Sequence, residues 1–153
     1  INTDYIAFLD EDNWIDENHI ESLVDTLERN RLDFVHSLRK VYIEDKFLAE
    51  DNCEAIGRYP VVWSNDHLVD TSTYLFRTDW LIKHCQLWHS GWGGDRRFFM
   101  SVMKDAWYGT SGLHTLNYKL PDMDRFYGGQ LDIFDKGNAE MKRRYGGKYP
   151  WEI

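Results

Sequence analysis

Residues 5–9, Tyr-Ile-Ala-Phe-Leu, carry no charge and end at Asp10-Glu11-Asp12. Two aromatic residues and one β-branched residue in five suit a strand covered on both faces, with the acids at its C-terminal mouth. Ile20, Leu23, Val24 and Leu27 then recur at helical spacing, with Asp16 and Glu17 near the start and Arg29-Asn30-Arg31 at the end, charges that suit a helix dipole. Residues 32–38 predict the next strand, and Lys40–Glu44 continues or pairs with it. Strand, helix, strand is the pattern of an α/β protein.

Residues 44–66 break every period and predict a loop-rich excursion in which only Val61-Val62-Trp63 is a short strand. Ser72–Phe76 predicts a strand and Trp80-Leu81-Ile82 opens a short helix. Gly91-Trp92-Gly93-Gly94 is a turn that places Asp95 at a helix start, since Phe99, Val102, Met103 and Ala106 follow at helical spacing. His114–Tyr118 predicts a late strand. A basic terminal helix, Asn138–Tyr145, is stopped by Gly146-Gly147.

At 153 residues the chain predicts one domain, 1–153, burying roughly 70% of the surface of its unfolded form. Its 26 acids against 18 bases give a net charge of −8, which argues against nucleic acid as partner and makes an anionic substrate awkward unless a cation intervenes. Two cysteines, Cys53 and Cys85, form no disulfide framework, so a reducing, cytoplasmic setting is expected. No apolar stretch approaches the roughly 20 residues of a membrane helix. The sequence enters its first strand within four residues and without an initiating Met, so a flanking segment from upstream or from another chain is expected beside that strand.

Two aspartates spaced by one residue at a strand end make physical sense as a divalent-metal site beside a diphosphate. Mg²⁺ and Mn²⁺ take oxygen ligands, commonly one or two carboxylates plus substrate phosphates, and the ion offsets the repulsion an acidic protein would impose. In extended chain Asp10 and Asp12 would point to one side and Glu11 to the other. A calcium loop is excluded because the required Gly is missing and Trp14 stands at a ligand position.

YIAFLDEDNW with the helix after it, LDFVHSLRKVY, VDTSTYLFRTDW and GGDRRFF, with LNYKL trailing, occur in the order seen in family 2 glycosyltransferases, and over residues 5–120 the chain resembles the C-terminal portion of such a GT-A domain. The resemblance implies a Rossmann-like GT-A α/β fold that lacks the βαβ unit family members carry before the D-x-D strand to bind base and ribose. It implies inverting, metal-dependent transfer of a sugar from a nucleotide-diphosphate donor to a saccharide or other acceptor hydroxyl. Asp10 and Asp12 map onto the ligands of Mn²⁺ or Mg²⁺ at the donor diphosphate, and Asp95 onto the base. His114 maps onto the position of a third metal ligand in some GT-A enzymes, and Arg96, with Arg97, is a candidate for binding phosphate or acceptor. Gly94 stands where the family often has a further acid.

Each assignment has a plainer counterpart. Asp95 also fits a helix N-cap. Arg96 and Arg97 fit a paired or solvated first turn, and His114 a structural strand histidine. Asp70-Thr71-Ser72 lines the acceptor side by resemblance, or is an ordinary strand entry. Trp63, Trp88 and Trp92 offer faces for a sugar ring, or core mass. Lys142-Arg143-Arg144 reads as a solvated helix face ahead of a membrane-surface contact. The rival functions are a haloacid-dehalogenase-type phosphohydrolase, which Asn13-Trp14 fits poorly, and a non-catalytic sugar- or metal-binding module.

Overall fold

The computed structural model describes residues 2–88, 91–123 and 127–152. In chain order its elements are β1 (Tyr5–Ala7), β2 (Trp14–Ile15), α1 (His19–Arg29), β3 (Phe34–Ile43), β4 (Lys46–Asp51), β5 (Tyr74–Arg77), α2 (Thr78–His84), α3 (Gly94–Val102), β6 (Tyr108–Lys119) and α4 (Ile133–Arg144). The two apolar runs expected at 32–38 and 40–44 are one strand, β3, and the sheet is built around it in the order β1-β5-β3-β6-β2. β6 runs parallel to β3, while β5 pairs antiparallel with its first three residues and β4 with its last five.

Adjacent β3 residues serve opposite faces, as the strand period requires. Val35 packs with Leu75 against Leu23 and Leu27 of α1, the helix anticipated from its apolar stripe. Phe34 joins Tyr74 and Phe76 under Phe98, Phe99 and Val102 of α3. Tyr74 and Phe76 stack at 4.6 Å between ring centroids and Phe34 meets both at 5.5 Å, so this face is an aromatic core. Farther along, Leu38, Val41 and Ala49 pack with Cys53 against Phe134 and Met141 of α4. Both cysteines are free thiols, Cys53 buried and Cys85 exposed.

Two expectations need correction. The strand at residues 5–9 is only three residues long and half-buried; it pairs with β5 and with no other strand among the described residues. Phe8 and Leu9 beyond it are exposed, so it is not a strand covered on both faces. Residues 44–66 are also more ordered than their composition implies. Glu44 takes a left-handed conformation (φ 53°), β4 returns along β3, and residues 51–57 are all buried. The period failed there because the buried positions include acids, which periodicity assigns to solvent. Val61 lies in a small cluster with Ala55 and Leu68 and not in a strand.

The terminal helix begins earlier than expected, at Ile133, and ends at the predicted glycines: Gly147 N donates to the Lys142 carbonyl (2.7 Å), with Gly146 and Gly147 both at positive φ. Gly137 lets α4 approach residues 51–57, since a Cβ there would lie 2.6 Å from Cys53 Sγ. The basic end of α4 is engaged within the chain. Arg143 and Arg144 both pair with Glu140, and Lys142 sits 5.0 Å over the Tyr149 ring. Among the described residues no helix is long and apolar enough to cross a membrane.

His36 is buried in β3, where its Nδ1 donates to the Ser37 carbonyl oxygen (2.9 Å), and burial pushes its pKa down from 6.5 to about 4. The unfolded chain therefore binds this proton at a pH where the folded chain does not. Stability is complete above pH 6.5 and falls as pH drops toward 4, by about 3 kcal/mol from this group. His36→Gln is expected to flatten that part of the pH–stability curve in urea unfolding between pH 4 and 7. An unchanged slope would show that His36 is not the group responsible.

Candidate functional site

Beyond β1 the chain turns at once: Asn13 N donates to the Asp10 carbonyl oxygen (3.0 Å). Asp10 and Asp12 thus lie on a tight turn and not on extended chain, and strand alternation does not decide their directions. The turn is strapped down from two sides. Asp10 N and the Asn13 side-chain amide both donate to Ser72 Oγ, at 3.0 and 3.2 Å, and Asn13 Oδ1 accepts from Lys119 N at the end of β6 (3.1 Å). Asn13 is buried while both aspartates are exposed. A rigid anchor therefore presents two accessible carboxylates. Burial of part of its side chain, then the neighbouring Asp70 charge, push the Asp10 pKa up; Ser72 opposes this and Asp12 adds to it.

Asp95 comes from the opposite direction in sequence. Gly93, at φ 77°, is the N-cap residue of α3, so Asp95 is in the first turn and not the cap itself. Its Oδ1 accepts from Arg96 N at 2.7 Å. Burial pushes its pKa up; the Arg96 N–H holds it down, Asp70 raises it again, and Arg39 and Arg96 oppose. The Asp70 charge thus raises both Asp10 and Asp95.

Asp70 itself is fixed from behind. Its Oδ2 accepts from Arg39 Nη1 (2.7 Å) and its Oδ1 from Ser72 N (2.9 Å), the same Ser72 whose hydroxyl holds the Asp10 turn. Arg39 also donates through Nε to Asp51 and through Nη2 to Glu54, each at 2.7 Å, and lies 4.2 Å from the centroid of the Tyr118 ring. All four charged residues are buried. Burial alone would lower the Arg39 pKa, but the three carboxylates hold it well above its usual value.

The carboxylates respond differently. Burial tends to raise Asp51, yet Arg39 and the N–H groups of Ala55 and Cys53 bring it below the usual range. Glu54, with fewer donors, is pushed up by burial despite Arg39; it accepts a further hydrogen bond from the Tyr127 hydroxyl (3.1 Å). Arg39, Asp51 and Glu54 are not among the residues that motif or spacing points to. No local signal sets them apart, since Arg39 is followed by Lys40, and Asp51 and Glu54 stand among Glu50 and Asn52.

The remaining expected residues lie elsewhere. Arg96 forms an ion pair with Asp66. His114 on β6 faces Asn52, its Nε2 2.6 Å from Asn52 Oδ1, and Glu50, 3.8 Å from Nδ1; burial pushes its pKa down and the Glu50 and Asp51 charges oppose. Its partners are Asn52 and Glu50, and neither Asp10 nor Asp12 is among them. Among the described residues no group of three or more His, Cys, Asp or Glu side chains is placed to hold a metal. Two carboxylates on the Asp10 turn remain the metal-facing candidates, a set that fits an ion completed by substrate phosphate oxygens. Of the tryptophans, Trp88 stacks on Phe98 at 4.3 Å as core mass and Trp63 packs edge-on to Phe134. Trp92 stands 84% exposed three residues before Asp95.

Residues 1–99, more than half of the chain, match the family model described as glycosyl transferase family 2. A search among curated proteins gave no match.

Removing the guanidinium leaves three carboxylates facing one another without a buried cation. Arg39→Met is expected to cost about 3–5 kcal/mol in urea unfolding at pH 7. Glu54→Gln is expected to cost clearly less than Asp51→Asn, because burial already favours the neutral form of Glu54. The reverse order would contradict the assignment of Asp51 as the charged anchor.

Proposed function

Because the chain belongs to glycosyl transferase family 2 and has the GT-A fold, we propose that Asp10, Asp12 and Asp95 form the centre of an inverting transfer from a nucleotide-diphosphate sugar to an acceptor hydroxyl. What supports this reading is the family match over residues 1–99, which contains all three aspartates, with Asp10 and Asp12 exposed on a turn fastened to Ser72 and Lys119. The family match leaves the phosphohydrolase reading without support.

Asp10 and Asp12 are the residues that would hold Mg²⁺ or Mn²⁺, and the ion when bound stabilises negative charge on the leaving diphosphate. Their fit to a cation rests on local charge: Asp10 has Asp12 and Asp70 as neighbours, and Arg39, the buried cation paired to Asp70, is already shared among three carboxylates. Asp95 takes the acceptor proton. As the acceptor oxygen bonds to the anomeric carbon, the bond from that carbon to the diphosphate oxygen breaks on the opposite face, and the proton passes to an Asp95 carboxylate oxygen. Burial makes Asp95 a stronger base than an exposed aspartate. The Arg96 N–H tempers this and also fixes the direction of the carboxylate. Arg96 remains with Asp66 and is assigned no donor contact.

Asp12→Ala is expected to abolish Mn²⁺-dependent binding of nucleotide-sugar in calorimetry, whereas Asp95→Asn keeps donor affinity within about twofold and loses on the order of 10²–10⁴ in transfer rate. Turnover unchanged in Asp95→Asn would remove Asp95 from the role of base. The acid limb of kcat/KM is expected above the pH range of an ordinary aspartate, with activity falling as pH drops and Asp95 takes up its proton. An acid limb in the ordinary range would contradict the effect of burial.

A further inference from the structure

A cavity of about 270 Å³ opens between the first residues of β3 and β6 and the C-terminal turn at Pro150–Glu152. His36, Ile56, Arg58, Tyr59, Tyr108 and Trp151 line it, and it shares no residue with the Asp10, Asp12, Asp70 and Asp95 constellation. Three features distinguish it from a surface dimple. The His36 side chain is 98% buried, and with Nδ1 donating to the Ser37 carbonyl its Nε2 presents a lone pair that no donor among the described residues fills. Gly57 makes this arrangement available: at φ 70° it passes so close that a Cβ would lie 2.4 Å from Nε2. Finally, in a chain of net charge −8, no carboxylate lines the cavity, and its one lining cation is Arg58.

Arg58 is only partly engaged. Nη2 donates to the Tyr108 carbonyl (3.0 Å) and the guanidinium lies 5.2 Å from the centroid of the Tyr108 ring, which leaves other N–H groups for a ligand anion. Tyr59 and Trp151, with centroids 5.8 Å apart and planes at 54°, add further aromatic wall. An acceptor lone pair, a cation and aromatic faces together suit a ring that donates a hydroxyl proton, carries negative charge and presents C–H bonds. The volume is below the roughly 300–1,000 Å³ of typical ligand pockets, which limits the occupant to one ring and excludes a whole nucleotide.

We propose that this cavity is a subsite for one acidic saccharide unit, a sugar ring bearing a carboxylate or a phosphate, separate from the transfer centre. The choice of a saccharide rests on the sugar acceptors of the family; the ring and the negative charge rest on the cavity itself.

The test is a titration of the isotope-labelled 153-residue chain followed through the Trp151 indole N–H resonance, with glucuronate, glucose 6-phosphate, glucose and inorganic phosphate as separate probes. A saturable shift with glucuronate or with glucose 6-phosphate, at least about tenfold tighter than with glucose or inorganic phosphate, is expected. The acid that binds more tightly identifies the natural group as carboxylate or phosphate. Arg58→Gln, at an exposed position, is expected to weaken the acidic sugar about tenfold and leave glucose unchanged. Asp12→Ala is expected to leave the titration unchanged, so a failure of the transfer mechanism and a failure of this site are read separately. The proposal is overturned if no probe shifts Trp151, if glucose binds as tightly as the acids, if inorganic phosphate alone reproduces the effect, or if Asp12→Ala abolishes the titration.

Discussion

The Arg39 guanidinium and the three carboxylates around it are the interaction on which the rest of the structure depends. One cation at the middle of β3 receives Asp51 from the end of β4, Glu54 from the segment after it, and Asp70 from the entry to β5. A buried charge is tolerable only when it is paired and its remaining donors or acceptors are filled. Here that requirement draws three separate stretches of chain to one point. Asp51 goes further and collects the N–H groups of Cys53, Glu54 and Ala55, which folds a polar segment into the interior.

From this hub the order passes outward to the accessible acids. Arg39 fixes Asp70, Asp70 accepts from Ser72 N, and Ser72 Oγ receives the Asp10 and Asn13 donors that hold the turn beyond β1. The exposed D-x-D turn therefore owes its placement to a buried arginine far from it in sequence. Burial raises the Asp10 and Asp95 pKa values, and the charge of Asp70 adds to the rise at both. The distribution of charge also separates these acids from the cavity beside β3 and β6. Asp10, Asp12, Asp70 and Asp95 are all acids, while the His36 and Arg58 cavity has no carboxylate in its lining.

Helical periodicity was legible because α1 and α3 each bury one stripe against the sheet, so Leu23 and Leu27, or Phe99 and Val102, announce themselves at spacing. The sugar-transfer family was legible for a different reason: its short motifs retain their order along the chain. Residues 44–66 were not legible, since β4 and the buried segment after it carry Asp51 and Glu54 inward, against the rule that separates apolar core from charged surface. The surroundings of His114 were not legible either: β6 runs beside β3 in a register that pairs it with Leu38 and leaves it facing Asn52.

What the sequence by itself determined is the α/β class, the family, and the placement of Asp10, Asp12 and Asp95 at the ends of elements, because these depend on local pattern and on motif order. Only the tertiary structure decided that the Asp70 charge raises both Asp10 and Asp95, that Arg39 anchors Asp70, and that Arg96 and His114 are committed to Asp66 and Asn52. Pairing between charges is a matter of distance in space. β3 meets β5, β4 and β6 through crossovers whose register no local pattern records, so the partners of each buried charge become visible only when the sheet is assembled.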